Sequence, residues 1–118
     1  MNIEELRDYC LLKEGVEECF PFDNETLVFK VYRKMFFLCS LEKNPISFNA
    51  KCNPDKAIEL REQYMCIRPG YHMNKTHWNT ILLTGNLPEK LVFELIDHSY
   101  DIIVKSLPLK VRKEHKFD

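Results

Sequence analysis

The stretch Leu27-Val28-Phe29-Lys30-Val31-Tyr32-Arg33-Lys34-Met35-Phe36-Phe37-Leu38-Cys39-Ser40-Leu41 decides the fold class. Both halves are rich in β-branched and aromatic residues, which suit a pleated, half-buried surface. Arg33-Lys34 separates them, so the stretch reads as a tight hairpin of strands over 27–32 and 35–41. The turn lacks the Asn-Gly chemistry that two-residue hairpins prefer. Either it is wider, or Arg33 takes a positive φ at some strain. Glu42-Lys43-Asn44-Pro45 makes the next turn. Ile46-Ser47-Phe48-Asn49-Ala50-Lys51 then alternates apolar and polar residues, as a third, half-buried strand should.

Helices flank this hairpin unit. Upstream, Asn2 caps a helix over about 3–14, with Glu5 completing a capping-box pattern. Ile3, Leu6, Tyr9 and Cys10 form its apolar face, and Gly15 stops it. Phe20-Pro21-Phe22 and Asp23-Asn24 then lead into the hairpin as a break and a turn. Downstream, Asn53 caps a second helix, Pro54 takes its first position, and Asp55 complements its dipole. Ala57, Leu60, Arg61 and Tyr64 share one of its faces, through residue 65. A further strand, Thr80–Thr84, precedes a turn at Gly85-Asn86. A third helix runs from Pro88 to Pro108, with Leu91, Val92, Leu95, Ile96, Tyr100, Ile103 and Val104 at helical spacing. Leu109–Asp118 reads as a flexible basic tail carrying Lys110, Arg112, Lys113 and Lys116. The order α-βββ-α-β-α, with hairpins and no βαβ rhythm, predicts an α+β domain. Its largely antiparallel sheet carries helices on one face and leaves the other open. The 118 residues fit one domain.

Composition excludes several classes. With 45% hydrophobic residues and a net charge of −1, the chain is neither disordered nor overtly nucleic-acid-like. Charge is nonetheless uneven. Residues 1–26 hold eight acids and two bases, residues 27–80 nine bases and four acids, and residues 81–118 six of each. This pattern either polarises the surface toward an anionic partner or neutralises itself across the fold. The start Met-Asn-Ile-Glu-Glu has no secretory-signal character, and no apolar run approaches the ~20 residues of a membrane span. Five cysteines (10, 19, 39, 52 and 66) lack any C-x-x-C pair. They read as free thiols of a reducing cytoplasm rather than a disulfide or zinc framework.

Chemistry concentrates in Arg68-Pro69-Gly70-Tyr71-His72-Met73-Asn74-Lys75-Thr76-His77-Trp78-Asn79. Pro69-Gly70 signals a turn. No 3.6-residue apolar period follows, so a loop entering a strand is expected. His72 and His77 are five apart, whereas two ligands on one helical face want four. No metal and no cofactor are expected. Cys52, before the Asn53-Pro54 helix start, is the best thiol nucleophile with His72 or His77 as base. A small buried residue is the preferred reading. Ser99 lacks a Gly-x-Ser-x-Gly context, and no reaction is spelled out, so a non-enzymatic protein is expected.

The run from Pro69-Gly70-Tyr71 to His77-Trp78-Asn79 resembles the hallmark of the MmcQ/YjbR family. Lys30-Val31…Lys34-Met35-Phe36, Lys51-Cys52-Asn53-Pro54-Asp55…Leu60-Arg61 and Asp97-His98-Ser99-Tyr100-Asp101 are also similar to its blocks, in its order. The resemblance covers nearly the whole chain. It implies a CyaY-like, double-wing α+β fold and a DNA-binding role in the bacterial cytoplasm. CyaY-type iron binding uses an acidic surface, which Glu4, Glu5 and Asp8 could imitate; a solvated helix face is preferred. Nucleic acid needs cations for phosphates and planar groups or amides for bases. Arg33, Lys34, Lys51, Arg68 and Lys75 supply the first. Tyr71, His72, Asn74, His77 and Trp78 supply the second, with Asn79 as another amide. Trp78 as core and Asn74 as a turn cap are the structural alternatives. His98 or Tyr100 is expected to hold the 68–79 segment in shape. Two other classes stand beside DNA binding. One is a protein-interaction module that uses the open sheet face for a partner or for self-association. The other is a protein binding a small anion in a pocket beside Tyr71, His72, Lys75 and His77.

Overall fold

The computed structural model describes residues 2–84 and 87–115. Among them, six strands form one fully antiparallel sheet: β1 Val16–Cys19, β2 Thr26–Val31, β3 Lys34–Ser40, β4 Ser47–Lys51, β5 Ile67–Pro69 and β6 Trp78–Leu82. The spatial order is β1-β2-β3-β4-β6-β5. The helices are α1 Ile3–Leu11, α2 Pro54–Gln63, α3 Glu89–Ser106 and α4 Leu109–Glu114. The α+β class and the one-sided helical layer are as expected. The added strands β1 and β5 are the two edges of the sheet, where burial imposes no period. β1 carries two acids, and β5 is three residues long and ends in proline, which edges tolerate. Leu109–Glu114, read from sequence as flexible tail, forms α4. The expected turn at Gly85-Asn86 lies outside the described residues.

Capping signals act as read. Asn2 Oδ1 accepts from Glu5 N at 2.9 Å, and Asn53 Oδ1 accepts from Asp55 N at 3.0 Å. The hairpin turn is tight, with φ of 44° at Tyr32 and 75° at Arg33. Both residues therefore occupy the left-handed region that Asn-Gly would occupy without strain. Tyr32 leans on Gly15, where an added Cβ would lie 2.4 Å from its ring.

One buried cluster joins Leu6 and Cys10 of α1, Ala57 and Leu60 of α2, and Val92, Ile96 and Ile103 of α3 to Phe29, Phe37, Phe48 and Ile81 of the sheet. A bulge shapes it. Phe29 pairs with Phe37 but Lys30 pairs with Met35, so Phe36 is the extra residue. The bulge lets consecutive Phe36 and Phe37 both enter the helical side, against strict alternation. It also parts Phe36 from Lys51, the next pair after Phe37↔Ala50. The Ser99 hydroxyl fills that gap: it accepts from Lys51 N at 2.8 Å and donates to Phe36 O. Its neighbours on α3 each hold another element. Asp97 accepts from Tyr9 of α1 at 2.7 Å and from Lys13. His98 Nε2 accepts from Asn53 N, before α2, at 3.1 Å. Tyr100 donates to Glu14 O, in the turn before β1.

Ser99→Ala strands a buried N–H and C=O in a site with 0% exposure. Chemical denaturation should show a loss of about 1–3 kcal/mol, larger than for Ser106→Ala on the exposed last turn. His98 carries a pH signature. Burial, then Lys56, lowers its pKa below the ordinary 6.5. The folded state thus disfavours imidazolium. The stability this contributes is complete above the unfolded value and is lost as pH falls below it. Melting temperature should decline from pH 7.5 toward pH 5.5, and His98→Gln, which can accept but does not titrate, should flatten that decline.

Candidate binding groove on the uncovered sheet face

Residues opposite one another on adjacent strands share a face. The register aligns Cys19, Val28, Leu38, Asn49, Thr80 and Arg68 across all six strands, on the side away from the helices. Val28, Leu38 and Trp78 form a small second cluster there, capped by Met35 and Met73. This face is partly roofed by the 70–77 segment, which connects β5 to β6.

Three devices hold that segment down. Gly70 N donates to Trp78 O at 2.8 Å, and Tyr71 N donates to Thr80 Oγ1 at 2.9 Å. Gly70 is required for close approach rather than for a positive φ, since a Cβ would lie 2.8 Å from Trp78 Cβ. The positive φ falls instead on His72, at 60°. Asn74 Oδ1 accepts from Thr76 N at 2.9 Å and His77 N at 3.3 Å, the turn-capping alternative. Arg61 of α2 is the main anchor. Its guanidinium donates to Asn79 Oδ1 at 2.6 Å, to Trp78 O at 3.3 Å and to Lys75 O. The expectation that His98 or Tyr100 shapes the segment is corrected: the bonds described above tie them to Asn53 and Glu14, and the shaping comes from Arg61. In the sequence Arg61 shares a helix face with Ala57, Leu60 and Tyr64. A lone arginine beside Leu60 on that face was the available signal.

A groove of about 740 Å³ lies between the segment and the rest of the face. Leu38, Ser40, Ser47, Asn49 and Thr80 make its floor. Tyr71, His72, Met73 and Asn74 make one wall, and Phe22 and Glu25, before β2, line it together with Thr26, the first residue of β2. Lys43 reaches over the Tyr71 ring, 5.1 Å from its centroid, and the His72 ring lies 4.0 Å from Tyr71. Phe22 and Tyr71 are 64% and 60% exposed. The Thr80 hydroxyl donates to Asn49 Oδ1, which leaves the Asn49 amide N–H groups as donors for a ligand. Mostly apolar lining with a few convergent polar groups is the usual make-up of a ligand site.

The expected site residues divide. Tyr71, His72 and Asn74 line the groove. Lys51 lies on the same face beside Trp78, and Arg68 is exposed on edge strand β5. Lys75 and His77 are exposed around the 74–77 turn, with Lys75 Nζ donating to Gly70 O at 3.2 Å. Trp78 is 7% exposed and offers no open stacking face, and Asn79 is buried against Arg61 and Ala57 O. Arg33 and Lys34 are not brought to the groove. Arg33 lines a separate hollow with Gly15, Tyr32 and His115, while Lys34 Nζ reaches Ser106 O at the end of α3. Phe22, Lys43, Asn49 and Thr80 were missed. Only the polar alternation of β4 marked one of them.

Thiol chemistry finds no support in the geometry. Cys52 is buried, and that burial raises its pKa despite Lys56 and Arg61. The five cysteines are free. Among the described residues, no three His, Cys, Asp or Glu side chains converge as a metal site, and no helix is long and apolar enough to cross a membrane.

Fold and groove together define a small α+β protein with a one-sided helical layer and a ligand-sized hollow on its bare sheet face. A model of the YjbR family matches residues 11–102, and the chain belongs to that family. It is 36% identical over 113 residues to the uncharacterized protein YjbR of Escherichia coli (strain K12), covering 96% of both chains. It is 37% identical over 98 residues to the uncharacterized protein YbdF of Escherichia coli O157:H7, covering 83% of this chain and 80% of that one. In structure it is similar to Deinococcus radiodurans DR2400, described with domain DUF419. The TM-score is 0.94 at 37% identity, over 99% of this chain and 89% of that one. A Pseudomonas syringae protein gives 0.75 at 28% identity, over 86% and 98%.

Replacing Arg61 by Lys removes the planar fork that reaches three acceptors at once. Arg61→Lys should lower stability by about 1–3 kcal/mol. Hydrogen exchange at the Gly70 and Trp78 amides should accelerate, while that of β2 and β3 stays close to wild type.

Proposed function

We propose that this chain is a non-enzymatic nucleic-acid-binding protein that works through the groove face and the 68–77 segment. The observation that carries the reading is the pairing of exposed Tyr71 with Lys43 at the groove rim, above a floor holding Asn49 and Thr80. An exposed ring, a cation and an amide are the three contacts that bases and phosphates need. Lys51 and Arg68 extend the positive charge along the same face, within the basic middle of the chain. His72 and Asn74 border the groove, and Lys75 and His77 flank it. Arg33 and Lys34 drop out of this surface for the geometric reasons above. Five free thiols support a reducing, cytoplasmic setting.

Fluorescence anisotropy with labelled DNA tests the reading. Several phosphate contacts predict a loss of more than about tenfold in affinity between about 50 and about 200 mM salt. Lys43→Ala and Arg68→Ala should each weaken binding and flatten the salt slope, and Arg33→Ala/Lys34→Ala should leave both unchanged. Absent binding at low salt contradicts the proposal.

One observation favours a protein partner instead. Phe20, Phe22, Leu41 and Tyr71 are large apolar residues left exposed, and two of them line the groove. Exposed apolar patches mark interaction surfaces. Light scattering that shows a dimer broken by Phe22→Ser would favour that second reading.

A further inference from the structure

We infer that the groove takes unpaired bases, so that the preferred ligand is single-stranded nucleic acid rather than duplex. This rests on the nucleic-acid reading above and narrows it. Duplex DNA is read by an element that protrudes into its major groove, commonly a helix or a two-stranded ribbon. Here the helices that share the main core all pack on the opposite side of the sheet. The candidate surface is concave, and a concave surface meets bases that have left the helical stack.

Side chains around the groove match a strand laid across the sheet. Phe22 and Tyr71 are exposed rings of its lining, and each can stack a base in a sequence-tolerant way. Trp78 lies beneath the segment as support, packed on Val28 and Leu38, and does not compete for a base. Asn49 offers amide donors at the floor for base carbonyl oxygens. Glu25 is the acid of the lining, and its carboxylate can accept from an exocyclic amine such as that of cytosine. Lys43 lies over the Tyr71 ring, 5.1 Å from its centroid, so a base stacking on that face displaces the ammonium, whose flexible stem keeps it within reach of the strand's phosphate. Duplex DNA would engage Lys43 and Arg68 but leave both rings and the floor without partners.

The test compares fluorescein-labelled oligothymidylate and oligocytidylate with a duplex of equal length at one salt concentration. Wild type should bind a single strand at least about tenfold more tightly than duplex, and Tyr71→Ala or Phe22→Ala should each lose about tenfold on single strands. Tyr71→Phe keeps the ring and should retain binding. Circular dichroism establishes that each variant is folded, which exposed positions should allow. Duplex bound as tightly as single strands, or folded alanine variants that bind like wild type, overturns the inference while the broader reading stands. Failure of wild type to bind any of the probes removes both.

Discussion

The Ser99 hydroxyl, set between Phe36 O and Lys51 N, is the contact on which the arrangement depends. A bulge at Phe36 interrupts the β2–β3 ladder where the β3–β4 ladder ends at Phe37↔Ala50, and open backbone groups inside a core cost free energy unless they are bonded. Ser99 satisfies both groups and thereby fixes α3 in register with the sheet. Once α3 is fixed, the three residues beside Ser99 each tie down another element. Asp97 draws in α1, His98 ties the start of α2, and Tyr100 reaches the turn before β1. Each bond is individually modest. Together they commit the helical layer to one side of the sheet.

That commitment leaves the other side to be finished by a short segment. A single α2 residue, Arg61, spans the distance from the helical layer to the 70–77 segment, binding Lys75 O within it and Trp78 O and Asn79 Oδ1 at the start of β6. Gly70 allows the backbone to lie against Trp78. The segment can then keep a fixed shape while exposing Tyr71 and His72. Rigid support beneath exposed functional groups lowers the ordering cost of binding. The groove is therefore a product of the core rather than an addition to it.

Much of this was legible in the sequence. Asn2, Asn53 and Pro54 announced two helix starts, because capping is local chemistry. The strands β2, β3, β4 and β6 announced themselves because burial imposes composition and alternation. β1 and β5 did not, because an edge strand with Glu17-Glu18 or Pro69 obeys no such rule. Tyr71 and His72 stood out as site residues from crowding in one segment. Phe22, Lys43, Asn49 and Thr80 come from four separate stretches, and only the strand order brings them together. Periodicity marked the apolar face of α3 but not Ser99, and it does not reveal a hydroxyl's partners, so a bulge sixty-odd residues upstream stayed hidden. Arg61 was hidden for the same reason.

The central claim is that the uncovered sheet face, and not the hairpin tip or the helical side, meets the ligand. Backbone amide shifts followed by NMR during titration with a short oligothymidylate test it most directly. The account predicts that the largest changes fall at Asn49, Tyr71, His72 and Thr80, with α1 and Arg33 unmoved. Changes centred on Arg33 and Lys34, or on the outer surfaces of α1 and α3, would contradict it.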